Sequence, residues 1–236
     1  MLAVAGAVIL VLLAAAAVFG PAISPYRYDQ QNYRLTKHPP CWDHPFGTDE
    51  LGRDMLVRVL HGARISMLVG IVSSLINLVI GVTYGAVAGF AGGRVGLFNI
   101  FIALGIIFWL TMARIVRGQI LRIKQQEFVL AELVMGVPRW RIIVRHLIPN
   151  TLGPIIVYAT LSIPTGIFLE AFLSFVGLGV SAPIASWGTL ASDGLKVMRS
   201  SPWQLFFPAA AMSACILGFN FMGNGLRDAL DPRLRK

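Results

Sequence analysis

The chain has 236 residues, of which 56% are hydrophobic and 13% charged, with a mean hydropathy of +0.71 and a net charge of +9. No water-soluble fold of this size needs so much apolar surface, so a soluble globular protein is excluded and an integral membrane protein is expected. The positive charge does not point to nucleic acid, because it gathers in clusters beside apolar runs, as the positive-inside bias produces.

Five apolar runs are predicted to cross the bilayer: Leu2–Phe19, Ile65–Phe90, Leu97–Ala113, Thr151–Leu169 and Gln204–Met222. Each approaches the ~20 residues that span ~30 Å of hydrocarbon, the third being the shortest. Strand-like alternation is absent, so the expected fold is an all-α polytopic helix bundle. The first run lacks a basic leader and has too long an apolar core for a secretion signal, and it reads as an uncleaved helix. Two regions are expected: residues 1–64, a helix with a polar loop and an interfacial helix, and residues 65–236, a transmembrane domain with a basic loop at about 114–149.

The polar loop Pro21–Arg64 holds two motifs. In HPPCWDH, His38, Cys41, Asp43 and His44 have the spacing of metal ligands, but Pro39 and Pro40 stiffen the segment and no fourth ligand is assured, so an ordinary loop and no metal are expected. Cys41 in a loop and Cys215 in a span are not expected to pair. In FGTDELGRD, Thr48 reads as a helix start with Asp49 and Glu50 in the first turn. Met55, Leu56, Val59 and Leu60 continue an apolar face beside Arg53, Arg58 and Arg64, which predicts a helix lying on the membrane before the second span. Asp49, Glu50 and Asp54 read as caps and ion-pair partners rather than as a carboxylate site.

The most informative stretch is Glu127–Asn150, EFVLAELVMGVPRWRIIVRHLIPN. Helix formers run from Glu127 to Met135, Gly136 breaks them, and Pro138 is placed as the first residue of a second helix that is to stop before Pro149. Trp140, Ile143, Val144 and Leu147 recur at i, i+3, i+4 and i+7, which predicts one apolar stripe with Arg141 and Arg145 off it. One face then beds on the protein and the other meets water or a partner. On periodicity alone, a helix resting on lipid headgroups fits equally well.

Seven Lys or Arg lie between Arg114 and Arg145 and four follow Gly223, which puts both regions in the cytoplasm. The connection Ser181–Trp203 is then extracytoplasmic. Five full crossings create a conflict: a cytoplasmic N-terminus would place Arg114–Arg145 outside, and a cytoplasmic Arg114–Arg145 would place the N-terminus outside. The rear carries the stronger charge signal and is kept.

Glu170 is the charged residue at membrane depth, a candidate for the translocation path or for a structural role capping a short segment Ala171–Val180. Gly70, Gly81, Gly85 and Gly89 recur on the second span, while Pro154, Pro164 and Pro208 are expected to interrupt helices, at a bundle interface or along a pathway. No phosphate-cradling G-x-x-x-x-G-K-[ST] loop, zinc motif or serine elbow occurs, so the chain is not expected to be an enzyme, and energy to move a solute comes from another subunit.

GTDELGRD at Gly47–Asp54, the Glu127–Asn150 stretch, LEAFLSFVGLG at Leu169–Gly179, SWGTLASDG at Ser186–Gly194 and GLRDALDPRLR at Gly225–Arg235 together resemble the dipeptide/oligopeptide/nickel permease family of ATP-binding-cassette importers, most closely the second of its two paired permeases. The resemblance implies a multi-pass permease of a prokaryotic cell membrane, surrounded by lipid and paired with a homologous permease. Its other implied partners are two ATPase subunits that bind ATP and Mg, and an extracytoplasmic solute-binding protein, with no cofactor on this chain and no nucleic acid. It implies that Glu127, Phe128, Ala131, Glu132, Gly136, Arg139 and Ile142 form the contact seated in the ATPase groove. This chain departs from the family pattern in having Glu132 where a second alanine is usual, Leu133 for an arginine and Asn224 for an aspartate. It also lacks roughly one helix after Gly96, which leaves about five spans where six are usual. A shortened, transport-defective remnant is the alternative function, and a self-contained secondary transporter is disfavoured by the lack of intramembrane charge.

Overall fold

The computed structural model describes residues 2–90, 109–176 and 183–230, with residues 88, 89 and 109 described for their backbone only. The long elements among them are helices: α1 Leu2–Ile23, α2 Met55–Phe90, α3 Trp109–Ile123, α4 Glu127–Val134, α5 Arg139–Phe175, α6 Trp187–Lys196 and α7 Trp203–Leu230. α1, α2, α5 and α7 are long and apolar enough to cross a membrane, and they contain four of the five expected spans. The expected span Leu97–Ala113 lies outside the described residues up to residue 108, and its remainder opens α3.

The expected surface helix is not a separate element. Thr48 does not start a helix: it is bridged to Asp54, with Gly47 and Gly52 at φ +71° and +68° turning the chain between helix and loop. Asp54 caps α2 instead, its Oδ1 accepting from the Val57 N–H at 2.9 Å. α2 then runs 36 residues without a break, about 54 Å at ~1.5 Å per residue, so its first turns stand clear of the hydrocarbon.

The prolines do not break the helices either. α5 passes through Pro149, Pro154 and Pro164, and α7 through Pro208. At one proline the structure shows another donor serving the carbonyl left free by the missing N–H. Pro21 near the end of α1 leaves the Ala17 carbonyl four residues back, and Arg64 donates to Ala17 O at 2.6 Å and to Val18 O at 2.7 Å.

The chain forms two compact units, Met1–Val72 with Ser162–Met222, and Ser73–Leu161 with Gly223–Lys236. The first is built on Leu10, Met55, Val59, Ile167, Trp187, Leu190, Cys215 and Phe219. Its polar loop is fastened by charge: Asp49 accepts from the Leu51 and Arg53 N–H groups at 2.8 Å and pairs with the Arg53 and Arg58 guanidiniums. His44 Nδ1 sits 2.7 Å from Asp54 Oδ2, so that histidine is engaged away from His38 and Cys41. Among the described residues no three His, Cys, Asp or Glu side chains gather as a metal site. The loop docks on the start of α7, where Phe46 stacks on Phe207 at 3.9 Å and Trp203 Nε1 donates to Thr48 O at 3.2 Å.

The second unit packs Val82, Ala86 and Phe90 of α2 against Met112, Val116 and Ile120 of α3, with Val129, Ile142, Ile143 and Leu147. A Cβ on Gly81 would meet Met112, one on Gly85 would meet Ala113 and Val116, and Lys124 Nζ donates to Phe90 O at 2.8 Å. The successive contacts make α3 parallel to α2, which bears on the orientation conflict. That conflict assumed consecutive spans running in opposite directions.

Candidate coupling surface

The segment after α3 is a helix–turn–helix elbow. α4 ends in a Schellman motif: the Val137 N–H donates to Glu132 O at 3.1 Å and the Gly136 N–H to Leu133 O at 3.2 Å, with Gly136 at φ +78°. The glycine is therefore a fixed turn rather than a loose hinge. Pro138 is the N-cap of α5 rather than its first residue, its carbonyl accepting from the Arg141 N–H at 2.9 Å, so the helix starts one residue later than expected, at Arg139.

α5 does not stop before Pro149. Residues Ile143–Leu147 form a π-helical turn, in which the Ile148 N–H reaches Ile143 O five residues back. This widening accommodates the proline ring, and the Asn150 side-chain amide donates to His146 O at 2.6 Å. The same turn splits the expected stripe. Ile142, Ile143 and Leu147 are buried, whereas Trp140 is 67% exposed and Val144 is also in the open.

On α4, Val129 is fully buried and Leu133 packs beside it, an i, i+4 face turned to the core. The opposite face carries Glu127, Phe128, Ala131, Val134 and Met135, all exposed, and Gly136 and Arg139 continue it across the turn. Arg139 places its guanidinium carbon 5.9 Å from the Phe90 ring centroid. The structure thus puts Glu127, Phe128, Ala131, Gly136 and Arg139 on accessible surface. Ile142 is fully buried and serves as an anchor for this surface. Glu132 is largely covered and pairs with His146, Oε1 to Nε2 at 3.0 Å, so the carboxylate that replaces a small side chain finds its basic partner within this chain. Sequence reasoning missed His146, although it lies within the same segment. It also missed the apolar exposure of Val134 and of Met135, the latter marked by the spacing 128, 131, 135.

Glu170 is not a helix cap. It lies inside α5, buried, with Ser174 Oγ donating to Oε1 at 2.7 Å and Ser66 Oγ to Oε2 at 3.0 Å.

Spanning helices joined to a basic elbow with an exposed apolar face fit a membrane subunit of the permease class, and the comparisons with known proteins agree. Residues 55–236 match the profile described as binding-protein-dependent transport system inner membrane component, and residues 1–40 match the N-terminal TM domain of oligopeptide transport permease C. The oligopeptide transport system permease protein OppC of Bacillus subtilis (strain 168) is 47% identical over 264 residues, covering 100% of this chain and 87% of that protein. The dipeptide transport system permease protein DppC of the same organism is also 47% identical, over 100% of this chain and 83% of that protein. OppC of Escherichia coli (strain K12) is 42% identical over 99% of this chain. The chain belongs to the binding-protein-dependent transport system inner membrane component family, and it is a multi-pass protein of the bacterial inner membrane. The alignment to the Bacillus OppC runs over 264 positions against 236 residues here, a difference of 28, which is the length of one span with a short turn.

Proposed function

We propose that this chain is the second permease subunit of an ATP-driven importer that brings peptides into the cell, with ATP and Mg held by two ATPase subunits whose grooves receive α4. The observation that carries this reading is identity over the full chain to oligopeptide and dipeptide permeases. Peptides take precedence over nickel because those relatives are named for peptides. The exposed Phe128, Ala131 and Met135 face, backed by the buried Val129 and stopped by Gly136, supports the coupling role: a partner groove gains apolar area from one side of α4 while the other side is fixed to the spans. A homologous permease completes the path, and an extracytoplasmic solute-binding protein delivers the peptide.

A second reading, a remnant that assembles without transporting, is favoured by the 28-position difference in length. The test is co-expression with the ATPases, the paired permease and the binding protein, followed by reconstitution. Peptide uptake with peptide-stimulated ATP hydrolysis supports the importer. Assembly without either supports the remnant, and failure to co-purify with the ATPases overturns both.

A further inference from the structure

Glu170 remains unexplained by the coupling surface. The residue is 6% exposed in a spanning helix, and its carboxylate holds two hydroxyl donors without an ion-pair partner among the described residues. A carboxylate in that setting is costly and persists where its hydrogen bonds hold something in place.

What it holds is α6. Ser66 Oγ, which donates to Glu170 Oε2, accepts in turn from the Trp187 N–H at 3.0 Å. Trp187 is the first residue of α6, behind the Ser186–Thr189 capping box, so its N–H is one of the amides that a helix start leaves without an internal partner. The three groups form one relay, Trp187 N–H to Ser66 to Glu170, and the helix dipole of α6 points its positive end toward the carboxylate. Close packing makes the joint tight. A Cβ on Gly188 would fall 2.5 Å from Ala171 Cα, and one on Gly62 would fall 3.1 Å from the Ser186 carbonyl carbon. Trp187 Nε1 donates to Val59 O at 3.0 Å, adding a second tie to α2. Three elements are thereby pinned at one point: α2 through Ser66 and Val59, α5 through Glu170 and Ser174, and α6 through Trp187.

α6 belongs to the extracytoplasmic connection and keeps Asp193, Leu195 and Lys196 in the open. An extracytoplasmic helix tied this way cannot shift without moving two spans.

We propose that Glu170 is a positioning residue for transport: through Ser66 it locks the start of α6 to α2 and α5, so that displacement of this extracytoplasmic helix is passed to the membrane helices. This rests on the importer reading, in which the binding protein approaches from that side.

The test uses the whole reconstituted transporter with Glu170→Ala, Ser66→Ala and the double variant. It compares peptide uptake, basal ATP hydrolysis and hydrolysis stimulated by peptide-loaded binding protein. Each single variant is expected to lower uptake and stimulation about tenfold, the scale of a lost hydrogen bond to a charged group, while basal hydrolysis and assembly with the ATPases stay at wild-type level. The double variant is expected to be no worse than either single one, because both cut the same relay. Additive losses, or a fall in uptake that only tracks the amount of assembled complex, overturn the proposal. Ser66→Ala removes one hydroxyl and keeps the inference testable if Glu170→Ala fails to fold. Wild-type complex without stimulation by the binding protein would sink the importer reading instead, which separates the two failures.

Discussion

Gly136→Ala isolates the backbone of the coupling elbow from its packing. At φ +78° an L residue costs ~1–2 kcal/mol relative to glycine. Nothing lies within 4 Å of a Cβ added there, so no steric relief or clash alters that figure. The full cost falls on the Schellman turn that joins α4 to α5. If ATPase docking requires the turn, affinity falls about 5- to 30-fold, the ratio that corresponds to 1–2 kcal/mol. Gly136→Asn, a residue that enters left-handed backbone more readily, is expected to recover about half of the loss in free energy. Gly118→Ala is the control: it is another exposed glycine with open space around its Cβ, but it lies inside α3, where alanine stabilises by roughly 0.5–1 kcal/mol. The assay is titration of purified ATPase onto reconstituted permease, with thermal unfolding in parallel. Equal affinity for the alanine and asparagine variants, or weakened docking in the Gly118 control, would refute the reasoning.

Phe128→Asp and Met135→Asp are expected to abolish co-purification with the ATPase and leave thermal unfolding unchanged, because both side chains already face solvent, whereas Val129→Asp is expected to lose the fold and its yield in the membrane. Asp49→Ala strands two guanidiniums in a largely buried loop, with an expected cost of ~3–5 kcal/mol seen as a lower unfolding temperature. Gly188→Ala is expected to disturb the α5–α6 joint, since its Cβ would fall 2.5 Å from Ala171 Cα and meet the Ser174 and Ala171 Cβ atoms, and solvent labelling of a cysteine placed at the buried position 190 should increase.

The spans were readable because an apolar run of span length has few alternatives, and the elbow was readable because glycine and proline punctuate it. What sequence misjudged depends on distant partners. Pro21 was harmless to α1 because Arg64 serves the freed carbonyl, a contact 47 residues away. Asp49 and Asp54 were read correctly as cap and ion-pair groups, but the helix start was placed at Thr48 because the turns at Gly47 and Gly52 leave no periodic trace. Glu170 was recognised as unusual, yet the capping arrangement expected for a structural role is not the one it makes. Its partner Ser66 lies 104 residues earlier on a neighbouring helix, and a lone serine in an apolar run carries no signal.

Pro149 connects these local rules to coupling. In a regular helix its ring would strike the Arg145 carbonyl, and the π turn at Ile143–Leu147 is the adjustment that lets α5 continue. One extra residue in a turn rotates everything before it by about 100°, given 3.6 residues per turn. The proline therefore sets which way Arg139, Trp140 and the attached α4 face relative to the spanning part of α5. Pro149→Ala restores a helical N–H and removes the ring, so it is expected to stabilise α5, by up to about 3 kcal/mol on the helix-interior scale. It should also let the π turn relax and swing the elbow out of register, giving a higher unfolding temperature together with at least tenfold less ATP-dependent uptake. A variant that is both more stable and fully active would show that the elbow's direction is fixed by its packing on Phe90 and Val129 instead of by the proline.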